Sequence, residues 1–147
     1  MSDQQVAIAK AIAWVAHHGQ ADKSGAAYIG HPARVAQKLV EAKSPERVVA
    51  AGWLHDVIED SSLTRDDLFA AGVDWSVINI VEAVTRTKEV SPEDYYSRIG
   101  QSQDATAVKL ADIADNTDPE RLAVLDDATI ARLTRKYAKA RALIAQA

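Results

Sequence analysis

Positions 55 to 60 read His-Asp-Val-Ile-Glu-Asp, which sets one imidazole and three carboxylates close together on the chain. The residues before them, Val48, Val49, Ala50, Ala51, Trp53 and Leu54, are apolar, and Val57 and Ile58 interrupt the polar set at helical spacing. The pattern predicts one helix from Ser44 and Pro45 to about Asp60. At about 100° per residue, His55, Asp56, Glu59 and Asp60 then share an arc of about 140°. Carboxylates at a helix C-terminus oppose its dipole and repel one another. A cation removes both penalties, because buried carboxylates stay ionised on a metal and an imidazole adds a neutral nitrogen ligand. The other reading is a solvated helix end, and the local residues leave both open.

Two further stretches carry polar groups that chemistry can use. In Lys109-Leu110-Ala111-Asp112-Ile113-Ala114-Asp115-Asn116, Asp112 and Asn116 lie four apart on one helical face, while Leu110, Ile113 and Ala114 mark the expected core side. Taken alone, this is an amphipathic helix. In Lys23-Ser24-Gly25-Ala26-Ala27-Tyr28-Ile29-Gly30-His31-Pro32, a glycine-containing loop with donors runs into a histidine at a helix start. Such a loop can cradle an anion, although most simply connect helices.

The elements that must position these groups are helices. Ala contributes 28 residues against 6 Gly and 4 Pro, and Ala is the strongest helix former. A helix is expected over residues 4 to 18, ending at Gly19, followed by a loop of about ten residues from Gln20 to Gly30. Pro32 starts the next helix, through Ala42, and the 45 to 60 helix follows. Thr64 caps a short helix closed by Gly72, and Asp74 caps another through Thr85. Ser91 with Pro92 and Asp94, Asp104, Asp118 with Pro119, and Asp126 or Asp127 open the rest. No alternating strand pattern or internal repeat occurs, so the fold class is all-α, with about eight or nine helices in a single domain spanning 1–147.

Composition narrows the functions. With 17 basic and 21 acidic residues the net charge is −4, which argues against a general DNA- or RNA-binding surface. There is no cysteine, so thiol nucleophiles and thiolate-rich zinc sites are excluded and any metal must sit on His, Asp or Glu. No apolar run reaches the roughly 20 residues of a membrane span, and Asp3, Gln4 and Gln5 do not begin a signal peptide. The cytoplasm is the expected compartment.

The ordered set His31, His55-Asp56 and Asp112 resembles the HD metal-dependent phosphohydrolase superfamily, whose domain is an all-helical bundle. The blocks from His17 to Pro32, from Leu54 to Asp60 and from Lys109 to Asn116 are more closely similar to the hydrolase domain of RelA/SpoT-type alarmone enzymes. Most of residues 5 to 125 falls within the likeness, and a chain of this length has no room for the synthetase or regulatory domains of long members. The resemblance implies a stand-alone small alarmone hydrolase that removes pyrophosphate from the 3′ position of a nucleoside 3′,5′-polyphosphate.

It further implies that His31, His55, Asp56 and Asp112 hold one divalent metal. Mn²⁺ is the expected ion, with Fe²⁺ or another divalent metal as substitutes. Glu59 and Asp60 match the catalytic acidic pair, and Lys23, Ser24 and Asn116 match nucleotide contacts. His17 reads as a hydrogen-bonded core histidine. On the last helix Arg132, Arg135, Lys136 and Lys139 form a basic stripe, which reads first as a solvated face; the resemblance places this helix near the 5′ phosphates, so that Arg132, or else Arg135, is the candidate to reach them. The expected partner is a small nucleotide, with no membrane. One residue departs from the resembled pattern: Asp22 stands where guanine-specific members commonly carry an Arg that stacks on the base. This leaves the base as guanine or adenine, and Asp22→Arg is expected to strengthen guanosine binding. Competing functions are an HD-type nucleotidase or phosphatase acting on another phosphorylated nucleotide, and a nucleotide-sensing module without catalysis.

Overall fold

A computed structural model describes residues 3–147. Ten helical segments follow one another: α1 (Gln4–Ala16), α2 (Gly30–Glu41), α3 (Glu46–Leu54), α4 (Val57–Asp60), α5 (Arg65–Ala70), α6 (Trp75–Val84), α7 (Pro92–Gly100), α8 (Gln103–Asn116), α9 (Pro119–Leu122) and α10 (Asp127–Ala145). Among the described residues, β pairing is confined to one isolated bridge between Ala21 and Ala27. Among the described residues, no helix is long and apolar enough to cross a membrane.

The expected start signals act through their side chains at several helices. Thr64 and Asp67 form a reciprocal capping box at α5. Ser91, Asp118 and Asp126 each accept a backbone N–H at the first turns of α7, α9 and α10. Gly72 ends the α5 region with φ +100°, a conformation that favours glycine. Helix α8 starts earlier than expected: Ser102 caps it, and Asp104 instead takes the Arg47 guanidinium at 2.7 Å.

The helix expected over 45 to 60 is in fact two. His55 caps the C-terminus of α3, Asp56 leaves helical geometry at φ −107° and ψ 0°, and α4 starts at Val57. The shared arc of an unbroken helix therefore does not describe these residues. The apolar sequence continues through Val57 and Ile58 and so hides the break.

Helix α3 is the centre of the bundle. Val48, Val49, Ala50, Ala51, Gly52 and Leu54 are all buried, the pattern of a helix covered on every side. It packs against α1, α2, α6 and α8, while α2 also packs on α8 and α10 covers α7 and α8. The buried side of α8 matches the expected one at Ile113 and differs from it at Leu110. Leu110 is 40% exposed, whereas Val108, Ala111, Ile113 and also Asp112 and Asp115 face inward. Two buried aspartates on a core-facing side require partners, and these define the site described below.

The end of α7 lies against the end of α10 with no space between the backbones. A Cβ on Gly100 would stand 2.4 Å from the Ile144 carbonyl oxygen and 2.4 Å from Ala147 Cβ. Gly100→Ala is therefore expected to destabilise the protein by about 1–3 kcal/mol, as overpacking does elsewhere. The check is a lower urea midpoint with an unchanged slope.

Candidate metal centre and its flanking cavities

Four acceptor atoms converge where α2, the α3–α4 break and α8 meet. His31 Nε2 lies 2.9 Å from Asp112 Oδ1, 3.2 Å from His55 Nε2 and 3.7 Å from Asp56 Oδ2. His55 Nε2 lies 3.0 Å from Asp56 Oδ2 and 3.4 Å from Asp112 Oδ1. The other ring nitrogen of each histidine is committed elsewhere. His31 Nδ1 donates to Asp115 Oδ2 at 2.7 Å, and His55 Nδ1 donates to the Gly52 carbonyl at 2.7 Å. With both Nδ1 atoms protonated, two Nε2 lone pairs and two carboxylate oxygens face one another in a buried space. Such a set requires a cation, or protons in its place.

The electrostatics agree. Burial pulls the His55 imidazole down, but the charges of Asp56 and Asp112 outweigh it and raise it well above its ordinary value. Burial would raise Asp112, yet the Lys109 ammonium and His55 hold it well below the usual carboxylate range. Burial is likewise outweighed at Asp56, which His55 holds at about 2. The donor set of two imidazoles and two carboxylates fits a divalent metal. His31, His55 and Asp112 place ligand atoms close enough together to hold one ion, and Asp56, Glu59 and Asp60 make a second such group beside them.

A layer of contacts behind these residues fixes their orientation. Lys109 Nζ donates to Asp112 Oδ2 at 2.9 Å, and Asn116 Nδ2 donates to Asp112 Oδ1 at 3.0 Å and to the Tyr137 hydroxyl at 3.3 Å. The Tyr28 hydroxyl donates to Asp56 Oδ2. Asp115, 1% exposed, takes Arg34 Nε and Arg121 NH1, each at 2.8 Å, besides His31. Burial would raise the Asp115 carboxyl, but the hydrogen bonds from His31 and Arg34 hold it at about 2.

Glu59 and Asp60 stand at the mouth of the site on α4. Glu59 Oε1 accepts the Arg86 backbone N–H at 2.8 Å, and the Asp60 carbonyl accepts Gln20 Nε2 at 2.9 Å. Desolvation raises both carboxyls, and the neighbouring Asp56 charge adds to it. His17 is buried, as the sequence predicts, and its Nδ1 donates to Gln20 Oε1 at 2.8 Å, while its Nε2 has no hydrogen-bond partner.

Two cavities flank the centre. One, of about 280 Å³, has Asp22, Lys23, Ser24, Asn116 and Arg121 as its polar walls and Leu122, Leu125, Leu133 and Tyr137 as its apolar ones. The other, of about 520 Å³, is cationic: Arg86, Lys88, Lys109 and Lys136 surround it, with Glu59 at its edge. The structure therefore brings His31, His55, Asp56, Asp112, Glu59 and Asp60 to one place, with Lys23, Ser24 and Asn116 in the adjoining wall. Arg132 is exposed and lines neither cavity; of the basic stripe, Lys136 faces the cationic one and Lys139 pairs with Glu93 at 3.1 Å.

Asp22 has a role the sequence did not suggest. Its Oδ1 accepts the Ser24 N–H at 2.9 Å, the Ser24 hydroxyl at 2.7 Å and the Ala26 N–H at 3.0 Å. An Arg at this position strands those donors, so the expected gain from Asp22→Arg is replaced by loss of the loop's shape. Asp115, Arg121 and Tyr137 were also missed. Nothing in their local sequence sets them apart, because their roles arise from tertiary contacts.

An all-helical domain in which an adjacent His-Asp pair meets a second His and a second Asp from flanking helices has the architecture of HD-domain proteins. The HD domain family model matches residues 9–114, and the chain belongs to that family. It is 34% identical over 110 residues to a guanosine-3′,5′-bis(diphosphate) 3′-pyrophosphohydrolase of Vibrio cholerae, a match covering 69% of this chain and 16% of the relative. It is 36% identical over 113 residues to the bifunctional (p)ppGpp synthase/hydrolase SpoT of Escherichia coli, with coverage of 69% and 16%. The chain thus spans about one sixth of the length of these relatives. The fold matches a solved structure described as a metazoan ortholog of SpoT that hydrolyzes ppGpp and plays a role in starvation responses. That match has a TM-score of 0.76 and 24% identity, covering 97% of this chain and 85% of the other.

Proposed function

We propose that this chain is a metal-dependent phosphohydrolase that releases pyrophosphate from the 3′ position of a nucleoside 3′,5′-polyphosphate. The observation that carries the reading is the convergence of four acceptor atoms, from His31, His55, Asp56 and Asp112, beside Glu59 and Asp60 and between a cationic and a mixed cavity. The similarity to guanosine-3′,5′-bis(diphosphate) hydrolases supports the same substrate class.

In this reading His31, His55, Asp56 and Asp112 hold one Mn²⁺, for which Fe²⁺ can substitute. When bound, the ion lowers the pKa of a water ligand and polarises a phosphoryl oxygen. Glu59 and Asp60 orient the attacking water and take its proton, and their raised basicity suits the task. The water oxygen joins the 3′ phosphorus, the bond from that phosphorus to O3′ breaks with its electron pair going to O3′, and O3′ takes up a proton from solvent to leave as a hydroxyl. Lys109 and Lys136 offset the charge of the departing pyrophosphate from the cationic cavity. Lys23, Ser24 and Asn116 contact the nucleotide in the other cavity, while Arg132, outside both cavities, adds positive potential toward the 5′ phosphates. A soluble nucleotide as substrate fits action in the cytoplasm, with no nucleic-acid or membrane partner.

A second reading, hydrolysis of another phosphorylated nucleotide, draws on Asp22, whose place in the loop leaves no arginine there to stack on guanine. Phosphorus NMR of the products from guanosine and adenosine 3′-pyrophosphates separates the two. Pyrophosphate formed with Mn²⁺ and suppressed by a chelator is the expected result. Orthophosphate as sole product supports the second reading, and no turnover of any nucleotide defeats both.

A further inference from the structure

Arg121 stands where α8, α9 and the loop of residues 20 to 30 meet. Its NH1 donates to Asp115 Oδ2 at 2.8 Å and to the Asp115 carbonyl at 3.1 Å, and its NH2 lies 3.5 Å from Asp22 Oδ2. Both carboxylates are largely removed from solvent, with side-chain exposures of 2% at Asp115 and 9% at Asp22. They serve different parts of the site. Asp22 gathers three loop donors on its other oxygen, whereas Asp115 orients the imidazole of His31. One planar guanidinium thus bridges a carboxylate that shapes a cavity wall and a carboxylate behind the metal centre. A guanidinium fork holds two such acceptors at a fixed angle, which an ammonium cannot do. Asp115 also has Arg34, but Arg121 provides the only ion pair found for Asp22 among the described residues.

We propose that Arg121 is a positioning residue, which pins the loop carrying Asp22, Lys23 and Ser24 to the C-terminal end of α8 and thereby sets affinity for the nucleotide. The nucleotide part rests on the function proposed above; the pinning of the loop does not.

The test separates the two. Amide hydrogen exchange is followed over residues 20–28 in metal-loaded protein without nucleotide, for wild type, Arg121→Ala, Arg121→Lys, Asp22→Asn and the Arg121→Ala/Asp22→Asn pair. Asp22→Asn keeps a carbonyl oxygen for the loop donors and removes the charge that faces Arg121. Arg121→Ala and Asp22→Asn are each expected to speed loop exchange about three- to tenfold, with Arg121→Lys falling between them and wild type. The double variant is expected to be no faster than Arg121→Ala alone, because both changes break one contact. KM for guanosine 3′,5′-bis(diphosphate) should rise in the same order while kcat and metal content change less.

Unaltered loop exchange in Arg121→Ala, or additive effects in the double variant, overturns the proposal. A change in thermal midpoint with exchange and KM untouched does so too. If Arg121→Ala does not fold, Arg121→Lys paired with Asp22→Asn decides by the same non-additivity. Absence of turnover with the exchange pattern intact overturns the hydrolase reading and leaves the pinning role standing.

Discussion

Glu59→Gln combined with Asp60→Asn is expected to lower kcat by about 10²–10⁴-fold, the usual loss when general-base help is removed, with the metal content unchanged. The two side chains belong to α4, beyond the break; they group with Asp56 and stand apart from His31, His55 and Asp112, which with Asp56 keep the four proposed ligand atoms in the double variant. The substitution also leaves local geometry in place. A glutamine still offers a carbonyl oxygen to the Arg86 N–H, and the Asp60 backbone keeps its bonds to Asp56 and Gln20. Steady-state kinetics and metal analysis on the same preparation make the check. Turnover near wild type would remove the pair from water activation.

Asp112→Ala is expected to empty the metal site and to destabilise the fold together. Asp112 Oδ1 approaches both His31 Nε2 and His55 Nε2 from α8, so its loss takes away a proposed ligand that joins the elements. On the other oxygen sits Lys109, whose side chain is only 14% exposed and which relies on that carboxylate for its charge. Removing one member of a buried ion pair typically costs about 3–5 kcal/mol. Asp112→Asn separates the effects, since it keeps an acceptor for Lys109 while weakening the hold on a cation. Metal analysis and denaturant titration of both variants provide the measurement. Wild-type metal content in the alanine variant would show that Asp112 is not a ligand.

The parts of this site that were legible in the sequence are those where adjacent residues carry the signal. His55-Asp56 and Glu59-Asp60 stand out because charged groups interrupt an apolar run, and Thr64, Ser91, Asp118 and Asp126 because a capping side chain acts on the next few residues. The break after His55 was hidden, since Val57 and Ile58 continue the apolar pattern on both sides of it. The inward turn of α8 was misread for a related reason. Leu110 reads as core, and nothing marks Asp115 as buried until its contacts with His31, Arg34 and Arg121 are known. Among the basic residues of α10, helical phase alone could not choose Lys136 over Arg132, because that choice depends on where α7 and α8 lie beneath it.

The position of the ligands along the chain has a bearing on folding itself. His31, His55 and Asp112 come from α2, the end of α3 and α8, so the acceptors assemble only when distant segments have come together. The folded chain alone offers this set of ligands to a cation, and an ion at 100 times its dissociation constant adds about 2.7 kcal/mol to stability by mass action. That is a sizeable share of the roughly 5–15 kcal/mol by which domains are stable. Under the proposed function, the abundance of intact protein would be tied to the supply of the ion, and scarcity of the metal would draw down the population of folded molecules as well as the activity of each one.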